Sequence, residues 1–411
     1  MADKQKKKTL LFFLFIAIIL ILERLIAHYL FEYSFPTIKY LQQFQSTKDF
    51  WKLISFLGSK NFKFMLLIIV FSFCNHFHTF IFSIVTFGTL FTVVMIKILF
   101  QENRPYWKDI DIIAFDCEVT YGFPSNHVTA SIPVMLYFWE IMYHRFDLGK
   151  MDVKKTINRN VLIFLNVLFV LLAISRLYNG AHSLDQVSFG FLFGYAIYYF
   201  FRYILEFDIE DYNFLIKLMN ETSTAMYFVY VYCLIYVFYL ICLFYNKDNF
   251  DSLIIPMIEE KCAGKYEYSP YLKCFVDSAD YFGILGGFLG LLYDKFRYKF
   301  EGIENNKNLI YINENLSDHF CERVGYWNDT NLTISFIRCL VIFFETYIIF
   351  TSMKIIAADN ENIVIDYIFE KALPAFLNNF MLYNFCKMTT IFIGLANDNT
   401  QRISPIGIKE M

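Results

Sequence analysis

No Cys-x-x-Cys pair occurs in this chain, and its nine cysteines are scattered, mostly inside apolar runs where a thiol acts as a small hydrophobe. A cysteine-based metal site is therefore not expected. Charged residues make up only 18% of the chain and the net charge is −3, with nothing to mark a nucleic-acid partner. No small-residue cleavage site follows the first apolar run, Leu10 to about Phe31, so that run reads as an uncleaved anchor and not a signal peptide. Internal repeats and a separate soluble domain are lacking as well.

What the chain has in excess is apolar surface. Of its 411 residues, 57% are hydrophobic and 20% aromatic, above the roughly half expected of a soluble domain. Apolar runs approach or reach the roughly 20 residues that cross a bilayer. Besides the first run they fall at 62–78, 80–100, 128–145, 160–178, 184–205, 223–245, 279–295, 333–353 and 374–396. The fold expected is all-α: a polytopic membrane protein with about ten transmembrane helices. Residues 35–57 are mixed and fit a helix lying along the interface. Gly283, Gly286, Gly287 and Gly290 form small-xxx-small patterns that permit close helix packing.

Basic residues set the orientation. Lys4 to Lys8, the loop 146–159 with Lys150, Lys154, Lys155 and Arg159, and the loop 296–332 all fall on the cytosolic side. Sequons at Asn220, Asn315, Asn328 and Asn331 then also face the cytosol. Cys262 and Cys274 share one polar loop and could form a disulfide if that loop is lumenal.

Three polar motifs end up together on the opposite side. Lys97 and Arg104 are seven residues apart, so on a helix they share one face, with Pro105 ending it. Alone, such cations read as side chains snorkelling to the interface. In Pro124-Ser-Asn-His127, Ser125 suits an N-cap whose free backbone N–H groups bind an anion. His127, within a turn of it, is a candidate general acid. Ser175-Arg176 closes one span and His182 opens the next, across Gly180-Ala181. Arg176 offers a planar fork for phosphate oxygens. His182 is the candidate nucleophile, and it needs an acceptor to fix its tautomer. Asp185 lies one turn away. His76, His78, Glu23, Arg24, His28, His144 and His319 are set aside; Glu23 and Arg24 are expected to reach the interface.

Together the motifs resemble the type 2 phosphatidic-acid-phosphatase superfamily, with its K-x6-R-P, P-S-G-H and S-R-x5-H-x3-D signature. The resemblance covers about residues 36–205 and implies a six-helix catalytic bundle. It divides the chain into an N-terminal tail and anchor (1–35), the phosphatase core (36–205) and a C-terminal extension (206–411). It further implies that Lys97, Arg104, Arg176, Ser125 and Asn126 bind phosphate, that His127 is the acid and His182 the nucleophile, and that neither metal nor cofactor is needed. Two positions depart from the pattern. Asn126 replaces glycine, and the third motif reads His182-Ser-Leu-Asp185-Gln186, with the aspartate one residue early. Either Asp185 reaches His182 or Gln186 orients it; Asp185 is preferred. The expected partner is a phosphorylated lipid, such as a sphingoid-base phosphate or phosphatidic acid, hydrolysed at the lumenal face of an endomembrane, the endoplasmic reticulum or another. The Arg104-Pro-Tyr-Trp107 string and Gln186 are also similar to the glucose-6-phosphatase branch. A phosphotransferase, or a non-catalytic phosphate-binding membrane protein or transporter, stands as an alternative.

Overall fold

The computed structural model describes residues 2–74, 76–145, 151–204, 218–219, 221–246, 254–262, 269–305, 332–357 and 363–393. His319 and the four sequon asparagines lie outside these residues, as does most of the loop 296–332. Every regular element among them is helical.

Helix α1 (Ala2–Gln42) runs without interruption through Pro36, where an interfacial break was expected. The amphipathic stretch that follows is the shorter α2 (Lys48–Leu57), bent by 49° from α3 (Lys60–Phe73) at Gly58-Ser59. Ser59 caps α3 by accepting from the Phe62 N–H. The first half continues with α4 (His76–Phe100), α5 (Pro105–Lys108), α6 (Asn126–Arg145), α7 (Met151–Tyr178) and α8 (Leu184–Tyr199). Beyond it lie α9 (Thr222–Tyr245), α10 (Ile254–Lys261), α11 (Pro270–Ser278), α12 (Phe282–Asn305), α13 (Leu332–Ala357), α14 (Leu373–Met381) and α15 (Lys387–Phe392).

Among the described residues, six segments are long and apolar enough to cross a membrane, or seven if the bent α2–α3 pair counts as one span. The described residues of all ten stretches read from the sequence are largely helical, but α6, α8 and the interrupted α14–α15 stretch fall short of that criterion. Helix α8 has 16 residues before it widens into a π-helical turn at Phe200–Ile204, and α6 carries Asn126, His127, Pro133 and Glu140, which lower its hydropathy. The chain is an all-α, multi-pass membrane protein.

Helix α4 is the centre of the bundle, buried along most of its length and packed against α3, α6, α11 and α12. In lipid, burying a side chain brings little hydrophobic gain, so close approach must hold helices together. The glycines of α12 provide it: a Cβ on Gly286 would sit 2.2 Å from the Phe376 carbonyl oxygen of α14. Helix α1 packs on α7 and α8 and does not stand apart as an anchor. Its Ser34 Oγ accepts from the Leu184 N–H at the start of α8 (2.7 Å), and Gln42 bonds to the Tyr178 and Ile113 carbonyls and the Ile113 N–H. His76 is buried and stacked on Phe71, centroids 5.0 Å apart, away from the surface turn expected of it.

Candidate active site

Lys97 and Arg104 do not share a helix face. Helix α4 stops at Phe100, and Arg104 adopts extended backbone angles (φ −84°, ψ 154°) as the N-cap of α5, with Pro105 opening that helix. Both side chains are buried and turn toward the strap 109–125 that links α5 to α6. Lys97 Nζ donates to the Tyr121 carbonyl and to Thr120 Oγ1. Arg104 donates from Nε to the Thr120 carbonyl (2.6 Å) and from Nη1 to the Ala181 carbonyl (2.8 Å). It thereby ties the first motif to the third.

The third motif depends on a tight turn after α7. Gly180 has φ +70°, and a Cβ there would lie 2.6 Å from the Ile113 carbonyl oxygen, so only glycine fits. The turn brings His182, fully buried, against Arg104, with Nη1 and Nε2 3.2 Å apart. Guanidinium nitrogens only donate, so Nε2 carries the lone pair and Nδ1 the proton. That proton faces Gln186 Oε1 at 3.3 Å. In this loop, outside the spans, burial first and then Arg104 push His182 down to about 3, leaving a neutral ring at neutral pH. Neutral imidazole with Nε2 free of its proton is the nucleophilic form.

Asp185 does not orient His182. Its Oδ1 accepts from Ser183 Oγ (2.5 Å) and its Oδ2 faces Arg24 (3.3 Å). The cause is a capping box: Ser183 caps α8, and Gln186 at the third helical position folds back to accept from the Ser183 N–H. That return places the Gln186 amide beside His182, while the preceding residue points toward α1. Arg24 and Glu23 are also corrected. Arg24 does not reach the interface but turns inward to Glu102 (2.6 Å) and Asp185 and lies over Phe123, 3.9 Å from its centroid. Glu23 is buried against it.

Gly122 explains how Gln186 is seated. A Cβ at Gly122 would lie 2.5 Å from Gln186 Nε2, which donates to the Asn103 carbonyl at 2.8 Å. In Gly122→Ala the added methyl displaces the amide from His182. A misplacement of about 1 Å costs on the order of 10²-fold in rate, so kcat should fall by that order with KM little changed. Steady-state kinetics on the variant reads it; an unchanged kcat would remove Gln186 from this role.

Arg176 is fully buried at the end of α7 and reaches both α2 and the strap. Its Nη1 donates to Ser55 Oγ on α2 (2.5 Å) and Asp116 Oδ2 (2.7 Å), and its Nη2 donates to Glu118 Oε1 (2.5 Å). The same Glu118 accepts from Arg104 Nη2 through Oε2 (2.8 Å), and it lies 3.3 Å from His127 Nδ1 and 3.8 Å from His182 Nε2. Burial alone would raise its carboxyl, but Arg176 and Arg104 outweigh that and hold it well below the usual range. Gly58, at the α2–α3 bend, backs His127 closely enough that a Cβ would be 3.0 Å from its ring. Buried Lys63 on α3 donates to the Gly58 carbonyl.

Sequence reasoning did not find Asp116, Glu118, Ser55, Gly58 or Lys63. The first two carried one signal: acidic residues flanking a cysteine in the short stretch between two phosphate-binding motifs. That cysteine corrects another expectation. Cys262 pairs with Cys117, Cα atoms 5.7 Å apart, and not with Cys274, which is a free thiol buried on α11. Helix α10 carries Cys262 to the strap, whereas α11 turns Cys274 into the bundle.

Ser125 Oγ, Asn126 Oδ1 and Arg176 Nε are shielded from solvent and have no hydrogen-bond partner. Two of these, the Ser125 hydroxyl and the Arg176 Nε–H, are donors that suit a tetrahedral oxyanion, whereas Asn126 Oδ1 is an acceptor and would turn away from one. Asp116, Glu118 and His127 could supply three metal ligands within 4.8 Å of one another. Both carboxylates, however, are bonded to guanidinium groups, so their charge is already met and a dication would have to displace an arginine.

Residues 78–210 match the PAP2 superfamily. The PAP2 match begins later than residue 36, where the motif-based resemblance was set, and it takes in all three motifs. It makes this stretch phosphatase-like. Neither the curated proteins nor the solved structures contain a match to the chain.

Proposed function

We propose that this protein hydrolyses phosphate monoesters through a phosphohistidine on His182, without a metal. The observation that carries the reading is that Arg104, Arg176, His127 and His182 all meet one anionic group, the Glu118 carboxylate, with the unpartnered Ser125 hydroxyl two residues before His127. Arg104, Arg176 and Ser125 hold the phosphoryl oxygens, with Lys97 adding charge from behind the strap and Asn126 at the opening of α6. His182 Nε2 attacks phosphorus, forming a P–N bond as the ester P–O bond breaks. His127 gives its proton to the departing oxygen. Water, deprotonated by His127, then attacks the phosphohistidine; the P–N bond breaks and phosphate leaves. Asp185 acts through Ser183, keeping the capping box and hence Gln186 in place.

A lipid phosphate is the substrate we favour, because Lys97 and Arg176 lie at the ends of two helices long and apolar enough to span a membrane, where a lipid headgroup would sit. The Cys117–Cys262 disulfide beside the site supports a lumenal or outer face, since disulfides persist in oxidising compartments. One observation favours a second reading, a soluble sugar phosphate. Arg24, Glu102 and Asp185 form a half-buried polar cluster next to Gln186, suited to hydroxyl groups and unsuited to acyl chains.

Membranes bearing the chain, assayed with chelator on a sphingoid-base phosphate, phosphatidic acid and glucose 6-phosphate, test both. Phosphate release from the lipids alone is the expected result. Release from glucose 6-phosphate alone would select the second reading, and release from none would overturn the enzyme reading.

A further inference from the structure

The Glu118 carboxylate touches the four groups that would grip and attack a phosphate: Arg104, Arg176, His127 and His182. No substrate phosphoryl group can meet those four while the carboxylate is among them. We propose that Glu118 is a built-in competitor for the phosphate position, carried on a tethered strap that must shift to admit the substrate. The inference rests on the phosphatase reading for the identity of the competing anion.

The fit of Glu118 is that of a stand-in. A carboxylate has two oxygens, and both are spent on the arginines; Ser125 Oγ and Arg176 Nε stay without partners. A phosphate has oxygens left for both. Exchange of the carboxylate for phosphate therefore satisfies two shielded polar atoms that the resting site strands, which offsets the loss of two ion pairs.

The tether is equally specific. Cys117, between Asp116 and Glu118, is bonded to Cys262 at the end of α10. Lys261 Nζ donates to the carbonyls of Asp109, Ile110 and Ile112, each at 2.8 Å. From the other side, Lys39 of α1 pairs with Asp109 and Asp111, and Gln42 holds Ile113. The strap is thus pinned at 109–113 and 117 by elements outside the three motifs. Its acidic tip sits in the cradle, held there by a segment of the C-terminal half, so this half sets the barrier to substrate entry.

The test uses the full chain purified in detergent, with inorganic phosphate as the probe. Two quantities are read: its inhibition constant in the monoesterase assay and the rise in Tm it causes. E118Q keeps the shape and removes the competing charge. Its inhibition constant should fall about tenfold or more, and phosphate should raise its Tm more than it raises that of the wild type. C262S keeps Glu118 but unties the strap, and its inhibition constant should fall between the two; it serves if E118Q folds poorly. Equal or weaker phosphate binding by both variants, with the wild type active, would overturn the inference while the phosphatase reading stands. Tighter binding by E118Q in a chain that hydrolyses no monoester would support the inference and remove the phosphatase reading.

Discussion

His182→Ala should lower kcat for phosphate-monoester hydrolysis by on the order of 10³-fold or more, because no other side chain can form the P–N bond. Among the described residues, its Nε2 is the imidazole nitrogen that sits against a donor-only neighbour, Arg104 at 3.2 Å, and is thereby kept free of a proton. His127 cannot take its place. Its Nδ1 is 3.3 Å from Glu118, but its ring is packed against Gly58, and losing the general acid would compound the loss. KM should change little, since the arginines that bind the phosphate remain. Chelator should leave the wild-type rate unaltered. A variant with a rate within a few-fold of wild type would mean that water attacks directly.

Arg104→Lys should lower kcat/KM by 10²- to 10³-fold, the scale of losing one fixed donor to a developing oxyanion. The charge survives this change, so the loss measures geometry. One guanidinium holds Glu118, the Thr120, Tyr121 and Ala181 carbonyls and Nε2 of the nucleophile. An ammonium cannot span that set, and it is a proton source that a neutral nucleophile should not face. Arg104→Ala goes further. It leaves Glu118 with one arginine and removes the donor to the Thr120 carbonyl, and breaking a buried pair of this kind costs about 3–5 kcal/mol. Thermal unfolding should therefore separate the two variants: a small drop in Tm for lysine and a large one for alanine. Similar Tm values would show that Glu118 is not held mainly by Arg104.

Much of this site could be read from residue order. The three motifs name Arg104, Ser125, His127, Arg176 and His182, and four of these, all but Ser125, meet the Glu118 carboxylate. Apolar runs located the helices because a bilayer imposes their length. Three things escaped. Between Asp185 and Gln186 the spacing favours Asp185, because spacing counts turns of helix, while the capping box that folds Gln186 back depends on where α8 starts. Arg24 was dismissed as interfacial because nothing in the first apolar run shows that α1 packs on α8. Glu118 and the Cys117–Cys262 pair were invisible because both depend on the fold of the strap, a stretch without periodicity. Loop-borne charge is legible only when its partners are known, and the partners here lie at the start of α5, on α7 and just after α10.

The decisive measurement is to quench wild-type protein during turnover of a ³²P-labelled monoester, digest it at alkaline pH and locate the label. Alkali-stable, acid-labile label on the peptide that contains His182, missing in His182→Ala, is the expected result. Rapid turnover with no label on that peptide at any quench time would contradict the phosphohistidine mechanism, leaving the cradle to bind the phosphate while water carries out the attack.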